Sequence, residues 1–333
     1  MPETSFIVTL SSDPRPGIIS AVATAIAELG GNIAETNQHW DRPTDRFFLR
    51  IAFLGPQELT VPRIEQALAP AVEKLGLDLA VTDAGRPPKI IAMVSKFDHA
   101  LLHLLYQIRV GWLRADVVAI VSNHEDARRI ADHEGIRFVH LPVTPETKPA
   151  QEAALLHLAE ETGAELVVLA RYMQVLSDEL TRKLSGRAIN IHHSFLPAFK
   201  GANPYKQAYQ RGVKLIGATS HYVTADLDEG PIIEQDVARI SHADTADDLV
   251  AIGRDTESRV LARAVKSHLE RRVLLSGTAP WSSASRQGFR SGRCDDVRDS
   301  LAGRPPRRPA RTPLRPRRAE HGRARPCLHP PRL

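Results

Sequence analysis

Ala188–Ser194 reads "AINIHHS", an apolar run that ends in Asn190, His192 and His193. Its front half does not alternate apolar with polar residues, as a strand with one wet face would. Short apolar runs of this kind mark strands covered on both faces, and so a largely parallel sheet between helices. Four runs of the same character precede it: "IIAMVS" (90–95), "VVAIVS" (117–122), "FVHLP" (138–142) and "ELVVLA" (165–170). Helical stretches separate them, the clearest being "QEAALLHLAEETG" (151–163). Beyond it, "LIGATSHYVT" (215–224) and "PIIEQDVARI" (231–240) add a strand pair around "ADLDEG", and a long helix is expected over 245–271. Strand–helix alternation on this scale predicts a Rossmann-like α/β sheet.

Upstream the pattern differs. "FIVTLSS" (6–12) is a strand, Pro16-Gly17 opens a helix over 18–30, and Gly30-Gly31 ends it. "NIAETNQHWD" and "FFLRIAFLG" form a strand pair around "RPTDR", an amphipathic helix covers 61–76, and "LDLAVTD" closes the unit. The order βαββαβ predicts a ferredoxin-like fold over residues 6–83. "AGRPPK" (84–89) reads as a linker.

The 333 residues carry a net charge of +5, unevenly placed. Thr278–Leu333 holds 14 Arg and 4 acids, a surplus of +10; the rest holds 44 − 14 = 30 basic and 39 − 4 = 35 acidic residues, a balance of −5. The body therefore offers no electrostatic case for nucleic acid. Both cysteines, Cys294 and Cys327, lie in the tail, which excludes thiolate sites from the body and suits a reducing compartment. No apolar run reaches the ~20 residues of a membrane helix, and no signal peptide is legible, so a cytoplasmic protein is expected.

In an open α/β sheet, ligands bind at the carboxyl ends of the strands. Asn190, His192 and His193 sit at one such end, and Asp226 and Asp228 follow another. An Asn amide can donate to a developing oxyanion, a His can exchange a proton near neutral pH, and a carboxylate can orient the His. That is a set for acyl chemistry. No HExxH or CxxC spacing supports a metal. Because strand neighbours point to opposite faces, His193 is expected to turn away from the substrate and make a structural hydrogen bond.

Three segments in order, "INIHHSFLPAF", "GATSHYV" and "DLDEGPII", resemble the signatures of the folate-dependent formyltransferase fold over about residues 88–275. The preceding module resembles an ACT regulatory domain. The combination resembles the hydrolase branch of the family, which cleaves 10-formyltetrahydrofolate to formate and tetrahydrofolate, supplying formate for purine biosynthesis and balancing the one-carbon folate pool. The resemblance implies the catalytic set Asn190, His192 and Asp228, with "VLARYMQVLS" placing Met173, Gln174 and Leu176 near the folate and His221 and Thr224 beside it. Folate is then the substrate, and no cofactor or metal is implied. ACT-like modules pair side by side and bind amino acids, which implies a homo-oligomer and an effector site watched by Asp13, Gly17 and Asn32; cap and turn chemistry explains those three equally well.

The runner-up activity is formyl transfer to an amine. Transferases of this fold carry a Gly-Ser-Asn turn after the first strand, whose N–H groups cradle a phosphate. Here the position reads "SKFDH", without glycine and with Asp98, which argues for water as the acceptor. A sensor that has lost activity and a nucleic-acid protein acting through the tail are the rivals from other classes. The domain expectation is 1–84 ACT-like, 85–277 catalytic and 278–333 a disordered Arg/Pro-rich tail. The family closes with a strand resembling Gly-His/Asn-Arg-Thr-Val-Val-Phe, and one base inserted after a Gly277 codon turns a coding string for "GTAPWSSA" into that ending. Residues 278–333 are therefore expected to be a frameshift product.

Overall fold

The computed structural model describes residues 3–197 and 204–275; the expectation about the tail lies outside the described residues. The chain begins with β1 (Glu3–Ser12), α1 (Ile18–Glu28), β2 (Asn32–Asp41), β3 (Arg46–Pro56), α2 (Val61–Leu75) and β4 (Asp78–Asp83). These strands form one antiparallel sheet ordered β2-β3-β1-β4, the ferredoxin-like arrangement expected from the βαββαβ reading. Val22 and Ile26 of α1 and Ile64 and Leu68 of α2 are fully buried against Val8, Ile51 and Phe53. Their spacing of four residues puts each pair on one helix face. β2 is an edge strand and stays mostly exposed along its length.

The second sheet begins with β5 (Lys89–Val94), followed by α3 (His99–Arg109), β6 (Asp116–Ser122), α4 (Arg128–Glu134) and β7 (Phe138–His140). It continues through α5 (Lys148–Thr162), β8 (Leu166–Leu169), α6 (Asp178–Lys183), β9 (Ala188–His192) and α7 (Pro204–Gln210). β10 (Leu215–Tyr222), β11 (Ile232–Arg239) and α8 (Ala246–Leu269) complete it. The order is β11-β10-β9-β8-β5-β6-β7. The five strands from β9 to β7 run parallel, while β10 and β11 are antiparallel additions. Alternate residues of β5 explain its uninterrupted apolar sequence. Ile90, Ala92 and Val94 share a cluster with Leu101 and Leu104 of α3 and Val260 and Val265 of α8. Ile91 and Met93 pack in a separate cluster with Leu155 and Leu158 of α5. Both faces of the strand are covered, so neither can be polar.

Strand order reverses at β5: the chain lays β6 and β7 on one side, then returns to place β8 and β9 on the other. A crevice opens at such a reversal, outside the carboxyl ends of the strands. Among the described residues no helix is long and apolar enough to cross a membrane.

The end of α8 reaches back to the first sheet through an ionic knot. Arg50 of β3, 4 % exposed, donates from Nε to the Glu270 carbonyl at 2.8 Å and from Nη1 to Glu35 at 2.9 Å. Arg272 grips the same Glu35 carboxylate bidentately at 2.8 and 2.9 Å. The Arg272 hydrogen bonds, with help from Arg50 and against partial burial, pull the Glu35 carboxyl from an ordinary 4.5 down to about 2. A depressed carboxyl stabilises the fold above its unfolded pKa and loses that contribution as pH falls through its folded value. Because Glu35 is partly exposed, the effect is ~1 kcal/mol or less. Glu35→Gln is expected to lower the melting temperature at pH 7 by a few degrees at most. The gap to wild type should close between about pH 4.5 and pH 2 in a thermal-melt series.

Candidate active site

The crevice at the sheet reversal holds a cavity of about 650 Å³. Met173, Gln174, Leu176, Asn190, His192, His221, Thr224 and Asp228, the eight residues expected near the folate, all line it. Asn190 and His192 come from β9, two residues apart and therefore on the same face. His221 comes from the antiparallel neighbour β10, directly opposite Asn190 in register. Asp228 comes from the loop that joins β10 to β11.

Asp228 is the hub. His192 Nδ1 lies 3.2 Å and His221 Nε2 3.6 Å from its Oδ1. Burial alone would raise this carboxyl, but the hydrogen bond from His192 and the proximity of His221 outweigh it and hold Asp228 well below the usual carboxylate range. It therefore stays ionised. Asp228 adopts φ +57°, a left-handed conformation that Asp tolerates better than most residues. The Thr224 hydroxyl shapes the approach to it by donating to the Asp226 carbonyl at 3.0 Å.

The histidine protons follow from their partners. His221 Nδ1 sits 2.9 Å from the Tyr222 carbonyl, which can only accept. In the neutral ring its Nε2 accepts from Asn190 Nδ2, 3.3 Å away, which aims the amide and leaves its second N–H for another acceptor. His192 donates from Nδ1 to Asp228, so its Nε2 carries the lone pair. That Nε2 is buried and has no hydrogen-bond partner. A buried ring nitrogen left unpaired is costly, and such atoms are where substrate groups complete a network.

His193 departs from expectation. β9 ends at His192, so strand alternation no longer governs the next side chain. Instead of turning away, His193 also lines the cavity and stacks on His192 with ring centroids 5.1 Å apart. Burial first, then the charge of Arg171, pushes its pKa down to about 4. A neutral ring thus lies against that of His192.

Sequence reading also missed a second polar group in the cavity wall: Arg171, Tyr205 and Glu257. The signal was faint, since Glu257 lies within a long helix where a charge usually means a solvated face. Gln174 and the apolar Met173, Val175 and Leu227 form the outer lip, and the last three are more than half exposed. The effector expectation fares differently. Asp13 and Gly17 flank the turn after β1, where Asp13 meets Arg46 at 3.2 Å and Gly17, at φ +93°, caps α1. Asn32 lies across from Leu54, which pairs with Ser5 near the start of β1, at the other end of the sheet. Within one chain the three do not converge, because α1 runs the length of the sheet between them. No cluster of metal-ligating side chains occurs among the described residues.

A cavity at the carboxyl ends of the strands with an Asn–His–Asp set and an apolar lip is the arrangement that the formyltransferase-fold resemblance implies, and comparison with known proteins places the chain in that class of enzyme. Residues 88–265 match the formyl transferase family. The chain is 47 % identical over 274 residues to a formyltetrahydrofolate deformylase from Corynebacterium sp. (strain P-1), covering 81 % of this chain and 95 % of that one. The crystal structure of the formyltetrahydrofolate deformylase from Burkholderia mallei superposes with a TM-score of 0.78 at 48 % identity, covering 82 % of this chain and 97 % of that one. The glycinamide ribonucleotide transformylase 1 of Symbiobacterium toebii superposes at 0.54, with 32 % identity over 59 % of this chain and 93 % of that one. The chain belongs to the formyltetrahydrofolate deformylase family.

Gly230 explains why the Asp228 loop ends in Glu-Gly-Pro. A Cβ at this position would fall 1.7 Å from the Tyr222 carbonyl oxygen, a backbone atom that cannot swing aside. Gly230→Ala is expected to push the loop off β10, destabilising the fold by ~1–3 kcal/mol. Misplacing Asp228 by even 1 Å should also cut turnover by ~10². A thermal melt and a folate turnover assay on one preparation check both.

Proposed function

We propose that the chain hydrolyses 10-formyltetrahydrofolate to formate and tetrahydrofolate, with Asn190, His192 and Asp228 as its catalytic residues. The observation that carries the assignment of roles is the bare, buried Nε2 of His192, held in that tautomer by Asp228. Asp228 is too acidic to be an effective base near neutral pH, whereas a neutral imidazole with a free lone pair is suited to the task. Water placed between Nε2 and the formyl carbon loses its proton to His192 as it attacks. The free N–H of Asn190 donates to the oxyanion that develops, and Asp228 stabilises the imidazolium. Collapse of the tetrahedral species breaks the N10–C bond, and His192 returns the proton to N10. One good oxyanion donor is worth ~10²–10³ in rate, and a positioned acid–base group ~10²–10⁴.

Met173, Gln174, Leu176, His221 and Thr224 hold the pterin side of the substrate in this reading, supported by their shared cavity. Formate from the reaction feeds purine biosynthesis, and tetrahydrofolate returns to the one-carbon pool. We place the enzyme in the cytoplasm. The exposed β2 edge supports a homo-oligomer in which a second copy extends the first sheet. An amino-acid effector, if bound through Asp13, Gly17 and Asn32, needs two copies, since one chain holds these residues apart.

Asp228→Asn keeps the shape but removes the charge; formate release should fall at least ~10² with the fold intact by circular dichroism. Near-normal turnover would reject the catalytic set. His192→Asn should cost more than His193→Asn, since only His192 contacts Asp228. Offering glycinamide ribonucleotide alongside the folate should yield no formylated ribotide by mass spectrometry, and its appearance would return the enzyme to the amine-transferring branch.

A further inference from the structure

Arg171 sits at φ +67°, a conformation that glycine adopts freely and a Cβ-bearing residue adopts only when its surroundings impose it. The side chain, 10 % exposed, runs into the cavity wall and meets Glu257, which is completely buried in α8. Arg171 Nε lies 3.2 Å from Glu257 Oε2, close enough for ionic attraction but too poorly aligned to count as a hydrogen bond. Glu257 is further held by His99 Nε2 at 2.8 Å and by the Tyr205 hydroxyl at 2.5 Å. Space for the Tyr205 ring exists because residue 253 is glycine; a Cβ there would lie 2.1 Å from Tyr205 Cζ. Tyr205 packs on His193 with centroids 6.4 Å apart, and His193 stacks on His192. An unbroken wall thus leads from the reacting imidazole to the Arg171 guanidinium. The field of that guanidinium reaches His193 and, after burial, is the largest influence on its pKa.

We propose that Arg171 is the acceptor-excluding residue, filling with a fixed cation the part of the cavity through which an amine would reach the formyl carbon. The inference rests on the deformylase reading and adds a determinant of acceptor choice to it. An amine must approach unprotonated and with room for its substituents; the Arg171 side chain, held in place by Glu257, removes the room. Water needs neither. The guanidinium cannot swing out without leaving Glu257 short of a charge partner in a dry site. Phe97, with its ring 5.8 Å from Arg171 and 5.0 Å from Arg254, supports the same wall from the loop after β5. Without the plug, the same tetrahedral chemistry would form an amine N–C bond as N10–C breaks, one amine proton passing to N10. The products would then be tetrahydrofolate and an N-formyl amine instead of formate.

Purified wild-type enzyme and Arg171→Gly are given 10-formyltetrahydrofolate with a rising glycinamide series, and formate and N-formylglycinamide are quantified by mass spectrometry. Glycine suits the left-handed backbone at this position, so the variant is expected to fold. Wild type should yield formate alone at every glycinamide concentration. Arg171→Gly should still release formate, with its transfer-to-hydrolysis ratio raised at least ~10-fold. Formate release by Arg171→Gly without any N-formylglycinamide would overturn the inference, as would N-formylglycinamide from wild type. Should the buried Glu257 destabilise the single variant, Arg171→Gly with Glu257→Gln removes the orphaned charge and is held to the same outcomes. A folded double variant that performs neither reaction would make Arg171 part of the hydrolytic machinery and also overturn the exclusion role. Absence of formate from wild type would instead reject the deformylase reading, separately from this one.

Discussion

One carboxylate organises the site. Asp228 accepts from His192 and faces His221, and each histidine then fixes something else: His192 the lone pair on its outer nitrogen, His221 the amide of Asn190. The backbone is bent into a left-handed turn to deliver that carboxylate, and a glycine two residues on lets the turn press against the Tyr222 carbonyl. Without the anion, the tautomers are no longer determined. The remaining geometry of the site is downstream of that hydrogen bond.

The sheet supplies the frame for it. β9 is the last parallel strand and β10 the first antiparallel one, so their pairing brings a strand's carboxyl end beside the middle of its neighbour. That pairing puts His221 opposite Asn190. α8 then covers the same face, contributing Glu257 to the cavity wall at mid-length and the Glu270 contacts to the first sheet at its end. The helix spans the cavity wall and the N-terminal sheet as one continuous element. The two sheets are therefore joined by an ionic contact at the base of the helix that lines the active site.

The cavity is divided by chemistry. Its lip is apolar and exposed, as suits a flat heteroaromatic substrate, while its far wall carries the buried Arg171–Glu257 pair with His99 and Tyr205. Buried ion pairs seldom add net stability compared with apolar packing of equal volume. Placing one here, at a backbone conformation that also costs ~1–3 kcal/mol for a residue other than glycine, argues for function over stability.

Much of this was legible in the chain itself. Apolar runs without alternation gave the parallel strands, because a strand covered on both faces has no polar side. The βαββαβ order gave the first sheet. Asn190, His192 and Asp228 stood out as candidates because Asn, His and Asp at strand ends are residue types suited to acyl chemistry, and the fold brings the three to one cavity. What the sequence could not supply depended on atoms brought together from distant positions. The side of the strand that His193 takes rests on where β9 stops hydrogen bonding, a property of pairing with β8 and β10. The separation of Asn32 from Asp13 and Gly17 follows from strand direction in the folded sheet. Arg171 and Glu257 are 86 positions apart, so neither residue's neighbours in sequence reveal the other. The sequence by itself determined the elements and the candidate site residues, since both are written in local pattern and residue type. Only the tertiary structure decided tautomer, facing and the charged wall, because electrostatics and hydrogen bonding act through space and not along the chain.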